Sequence, residues 1–227
     1  MRRAIAAALK GELLAAYQAF VVAGPYSPDA VPAGQRALKN ACLGYLMELD
    51  DDAVRALCLR QFDHADNMTD AMAALSAIAN AQWDVRRDVL GRFYDRWKDE
   101  ALVVDKWLAV QAASRLDDTL HTVRALTAHP AFDLKNPNKV YALIRAFCSN
   151  HVNFHAADGS GYAFIADRII EIDALNPQVA ARVARGFDRW RRFDEGRQAH
   201  ARAALERIRD TAGLSRDVAE IVSRGLA

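Results

Sequence analysis

Apolar positions recur at helical spacing along nearly the whole chain, and strand-like alternation never extends beyond about four residues. The clearest instance is Phe93 to Ala112. There Trp97, Leu102, Val104, Trp107, Leu108 and Val110 crowd one helical surface, while Arg96, Lys98, Asp99, Glu100 and Lys106 leave the rest wet. So wide an apolar stripe must be buried against neighbouring helices. Start signals punctuate the pattern. Asn67 precedes Asp70 by three residues, Asn136-Pro137 and Asn176-Pro177 each set an Asn cap before a proline in the first turn, and Ser215 leads into Asp217.

The spacing predicts about twelve helices, near residues 4–22, 31–49, 51–63, 68–79, 84–97, 100–113, 118–128, 137–149, 160–174, 177–191, 194–210 and 215–225. Short linkers imply antiparallel neighbours. The longest irregular stretches are Gly24–Ala33 and Asn150–Gly161. Many short helices joined by tight turns favour an all-α irregular superhelix, or solenoid, of paired helices over a four-helix bundle. No repeat of fixed period is visible. One domain over residues 1–227 is expected.

Charge and composition exclude several classes. The chain has 227 residues and a formal net charge of +1, so bulk electrostatics do not point to nucleic acid or a membrane surface. No apolar run is long enough for a membrane span. The opening MRRAIAAALK runs straight into Lys10, Gly11 and Glu12, so no signal peptide is expected. Cys42, Cys58 and Cys148 sit among apolar neighbours and read as buried thiols of a cytoplasmic protein. Asn67-Met68-Thr69 matches a glycosylation sequon but reads as a helix cap.

Catalytic motifs are missing: the chain contains no HExxH, Cys-x-x-Cys, Gly-rich phosphate loop or GxSxG elbow. His151 and His155 have the i,i+4 spacing of zinc ligands on a helix, yet Asn150, Asn153, Asp158 and Gly159 around them favour a polar loop. Asp158-Gly159-Ser160-Gly161-Tyr162 reads as a tight turn with positive φ at one or both glycines. Trp97, Trp107 and Trp190 read as core. The arginines from Arg182 to Arg209 are interleaved with Asp188, Asp194, Glu195, Glu206 and Asp210, as on a solvated, ion-paired face. Gln178 and Arg182 lie one turn apart on the same side of a helix.

Six segments together resemble the C-terminal domain of bacterial aminopeptidase N, a zinc-dependent gluzincin aminopeptidase. They are KNACLGYL (Lys39–Leu46), NMTDAMAALSAI (Asn67–Ile78), EALVVDKWLAVQA (Glu100–Ala112), NPNKVYALIRAF (Asn136–Phe147), FHAADGSGYAFIAD (Phe154–Asp167) and NPQVAARV (Asn176–Val183). The resemblance runs from about Leu13 to the last residue. It implies an all-helical, non-catalytic domain that closes an active-site cavity and controls which peptides enter. Zinc and the catalytic residues would belong to other domains of the same polypeptide, and those domains and the peptide substrate would be the partners. By the same resemblance Gln178, Arg182, Asn136, Asn138 and Tyr141 line the cavity. Enteric members carry arginine where this chain has Tyr141, so charge-based contacts there are not carried over. The competing reading is an independent helical-repeat scaffold for protein partners.

Overall fold

A computed structural model describes residues 1–227. The chain is all-α and divides into two compact units, Met1–Phe93 and Tyr94–Ala227, with the division inside one helix. No helix is long and apolar enough to cross a membrane.

The first unit holds α1 (Arg2–Ala8), α2 (Lys10–Ala19), α3 (Ala30–Leu46), α4 (Asp52–His64), α5 (Met68–Ala79) and most of α6 (Arg86–Trp97). The helix expected over 4–22 is two helices. The backbone leaves the helical region at Leu9 (φ −112°, ψ 22°), and each piece packs separately on α3. Leu43, Leu46, Leu75, Ile78 and Val89 form the apolar core. A polar network lies within it. Asp70 accepts from Lys39 Nζ at 2.6 Å and Asn40 Nδ2 at 2.8 Å, and Gln61 joins Asn40, the Asp70 carbonyl and the Tyr17 hydroxyl. Asn67 caps α5 by accepting from the Asp70 amide at 2.9 Å and donates back to its carboxylate. Buried polar groups persist only when satisfied in this way.

The second unit contains α7 (Ala101–Ala112), α8 (Thr119–Thr127), α9 (Pro137–Val140), a π-helical turn (Tyr141–Arg145), α10 (Ala146–Cys148) and α11 (His151–Phe154). These are followed by α12 (Ser160–Asp173), α13 (Pro177–Ala184), two 3-10 turns (Arg185–Phe187 and Trp190–Arg192), α14 (Glu195–Arg209) and α15 (Arg216–Leu226). Helices near in sequence pack together: α7 with α8, α12 with α13, and α14 with α15. Rings of Phe147, Phe154, Tyr162 and Phe187 meet edge-on or tilted at the centre. Edge-to-face contact suits the ring quadrupoles.

Three expectations change here. Asn150–Gly161 is not wholly irregular. Asn150 caps the one-turn helix α11, accepting from the Asn153 amide and donating to the Ala112 and Ser114 carbonyls at 3.0 and 2.6 Å. The side chains that disfavour a long helix here anchor a short one. The helix expected over 177–191 ends at Ala184 and continues as 3-10 turns. Finally, the stripe around Trp97–Val110 breaks between α6 and α7. Trp107 is buried, Trp97 is half-buried, and Leu102 is 71% exposed.

In the Asp158–Tyr162 turn only Gly159 has positive φ, at 72°. Gly161 is needed for a different reason. A Cβ there would lie 2.4 Å from the Asn153 carbonyl oxygen and 2.5 Å from that of Phe154. That close approach seats α12 against α11.

Candidate functional site: an arginine-lined groove

The chemistry of the second unit gathers where α9–α10 faces α13 and the 3-10 turns after it. Two adjoining cavities lie there, of about 380 and 510 Å³, and both are lined by Arg145, Arg185 and Asp188. Tyr141 and Arg182 complete the larger one, while Arg189, Arg192 and His151 border the smaller. Tyr141 and Arg145 are the first and last residues of the π turn. Such turns insert an extra residue into a helix and recur at functional sites.

The opposite wall rests on a helical rhythm carried past the end of α13. Arg182, Arg185, Arg189 and Arg192 follow at intervals of three, four and three residues. Val179, Val183, Phe187 and Trp190 are buried between them. The apolar side chains hold the segment down and the guanidiniums face outward. Gly186 permits the close fit, because a Cβ there would come 2.9 Å from Cys148 Cβ on α10.

Five guanidiniums therefore meet one carboxylate. Arg185 Nε donates to Asp188 Oδ2 at 3.2 Å, while Arg145 donates to Ser149 Oγ and Arg182 to the Tyr141 hydroxyl, also at 3.2 Å. No carboxylate pairs with Arg145, Arg182, Arg189 or Arg192. The ion pairing expected for the whole arginine run holds for Arg185 and for its later part. Arg197 pairs with Asp194, Arg202 with Glu206, Arg207 with Asp167 and Arg209 with Asp210. Of the groove arginines the sequence singles out Arg182, whereas the acids interleaved with Arg185, Arg189 and Arg192 point to an ion-paired face. The arginines' 3-4-3 spacing opposite an apolar face was the available signal.

The five residues singled out by resemblance have different surroundings. Tyr141 and Arg182 meet across the larger cavity. Gln178 is exposed on α13 and borders neither cavity. Asn136 caps α9 by accepting from the Asn138 amide at 3.0 Å, and both asparagines are exposed and line neither cavity. Arg145, Arg185, Arg189 and Arg192 were not among those five.

Groups beside the groove are set for structure. His155 is buried, stacks on Phe193 with ring centroids 3.8 Å apart, and lies 2.7 Å from the Tyr162 hydroxyl. Burial, with the charges of His151 and Arg197, pushes its pKa down to about 4. Its carbonyl accepts from Arg197 Nε at 2.6 Å. The two histidine rings are 5.6 Å apart, and no three His, Cys, Asp or Glu side chains gather to hold a metal ion. Burial pushes the Cys148 thiol up to about 12, so it is protonated and a poor nucleophile. The arrangement can bind and orient anions or carbonyl groups through guanidinium donors.

Comparison with known proteins accounts for the fold. All 227 residues match the model of a domain of unknown function (DUF3458_C) with ARM repeats. The whole chain is 40% identical to aminopeptidase N of Escherichia coli (strain K12), covering 26% of that protein. It is 41% identical over 89% of its length to aminopeptidase N of Caulobacter vibrioides, covering 24% of it. The crystal structure of Legionella pneumophila aminopeptidase A in complex with aspartic acid superposes on 99% of the chain with a TM-score of 0.91 at 33% identity, over 27% of its own length. The chain thus spans about a quarter of the length of the relatives it matches. An ARM-repeat match over every residue, together with this identity to a quarter of each relative, means that the chain belongs to the family of C-terminal helical domains of bacterial aminopeptidase N.

Proposed function

We propose that the chain is the non-catalytic part of a longer, zinc-dependent cytoplasmic aminopeptidase, where it walls the active-site cavity and governs which peptides reach it. The observation that carries this reading is the groove. It is open and rich in guanidinium donors, with Arg182 and Tyr141 across it, and a buried, protonated thiol beside it. Such a surface can hold the carbonyl groups and carboxylates of a peptide but offers no machinery to break it. Zinc and the hydrolytic step belong, in this reading, to the other domains of the polypeptide. The groups here with metal-ligand chemistry do not form a set that would fit zinc.

The test uses the full-length enzyme. Arg182→Ala raises KM for peptides of several residues by about tenfold, the worth of one lost charged hydrogen bond, and leaves a minimal aminoacyl anilide nearly unaffected. Equal effects on both substrates overturn the reading. Hydrolysis of either substrate by the purified 227-residue chain would do so too.

A further inference from the structure

Resting on that reading, we infer that the Arg145–Arg185–Arg189–Arg192 end of the groove is a binding site for acidic peptide segments, those carrying two or more side-chain carboxylates. The charge is unbalanced. Arg145, Arg189 and Arg192 have no carboxylate partner, and the single acid present, Asp188, is engaged by Arg185. Unpaired guanidiniums at a protein surface form an anion site, because each presents a planar fork of donors that matches a carboxylate.

The shape selects among anions. The arginines are spread along two adjoining cavities that share Arg145 and Arg185, rather than converging on one point. A lone phosphate or carboxylate would satisfy one or two forks and leave the others unused. A chain with carboxylates at intervals could reach several. The walls between the charges include Phe193, Cys148 and the backbone of Gly186, which suit the apolar stems of glutamate and the peptide backbone. Gly186 also fixes the geometry, since its contact with Cys148 sets the first 3-10 turn hard against α10 and so brings Arg185 near Arg145. A nucleic-acid strand would want stacking rings in succession along its track. Phe193 is instead stacked on His155.

The experiment is calorimetric titration of the 227-residue chain with an N-acetylated, C-terminally amidated heptapeptide carrying three glutamates. Its three-glutamine analogue and a single-stranded oligothymidylate serve as controls. The glutamate peptide should bind about tenfold or more tighter than the glutamine analogue. The difference should shrink as salt is raised from about 0.05 to 0.5 M. Replacing Arg189 and Arg192 together by Gln should lower affinity for the glutamate peptide by about tenfold while the thermal melt is unchanged, since both side chains are exposed and unpaired. Equal binding of the two peptides, tighter binding of the oligonucleotide, or an unaffected double variant would each overturn the inference. Its failure is separable from that of the cavity-wall reading: loss of acidic binding here alongside a retained chain-length effect of Arg182→Ala would sink this inference alone.

Discussion

Replacing Asp70 by alanine tests how the first unit is held together. The Asp70 carboxylate and the Lys39 ammonium are 2.6 Å apart, with side-chain exposures of 11% and 8%. Truncation would leave the ammonium buried and unpaired and would strip a partner from Asn40 and Asn67. Breaking a buried ion pair from one side costs about 3–5 kcal/mol. At about 2–4 °C per kcal/mol for 227 residues, the chain should melt roughly 6–20 °C lower by scanning calorimetry. Joint replacement, Lys39→Met with Asp70→Leu, removes the stranded charge and should recover much of that loss. The pH dependence has a definite sign. Burial pushes the Asp70 carboxyl up, but hydrogen bonds from Lys39, Asn40 and Asn67 outweigh it and hold the group below its ordinary value of 3.8. The pair's stabilisation is therefore full above about pH 4 and lost as pH falls through the folded-state value. Asp70→Ala should flatten the stability curve in that acid range. A loss below about 1 kcal/mol, or a joint variant less stable than the single one, would refute the account of the network.

Three further outcomes follow from the second unit and its boundary helix. Gly161→Ala should destabilise by roughly 1–3 kcal/mol or more in urea titration, because its Cβ meets backbone oxygens that cannot give way. Gly91→Ala, in α6 with nothing within 4 Å, should stabilise by about 0.5–1 kcal/mol. His155, held neutral by burial with a pKa near 4 against an ordinary 6.5, stabilises the fold fully above pH 6.5 and progressively less toward pH 4. His155→Phe should remove up to roughly 3 kcal/mol of that acid-side slope, and an unchanged slope would mean the ring is not desolvated.

Much of the fold was legible because helix caps act locally. Asn67, Asn136, Asn176 and Ser215 each accept a backbone amide in the first turn that follows, as the residue order alone indicated. The division at Leu9, the buried turn at α11 and the end of α13 were not legible. Each depends on what the segment packs against, as when Asn150 finds the carbonyls of Ala112 and Ser114 some forty residues earlier in the chain.

The groove shows the same contrast. Amphipathic spacing and capping chemistry are short-range properties, set within a turn or two, so the residue order was enough to establish an all-α chain. Which arginines share one surface is a long-range property. Asp188 and Asp194, the acids nearest Arg189 and Arg192 in sequence, pair with Arg185 and Arg197, and Arg145 approaches from a helix some forty residues away. Only three-dimensional packing, tightened where Gly186 meets Cys148, brings those unpaired cations to one surface.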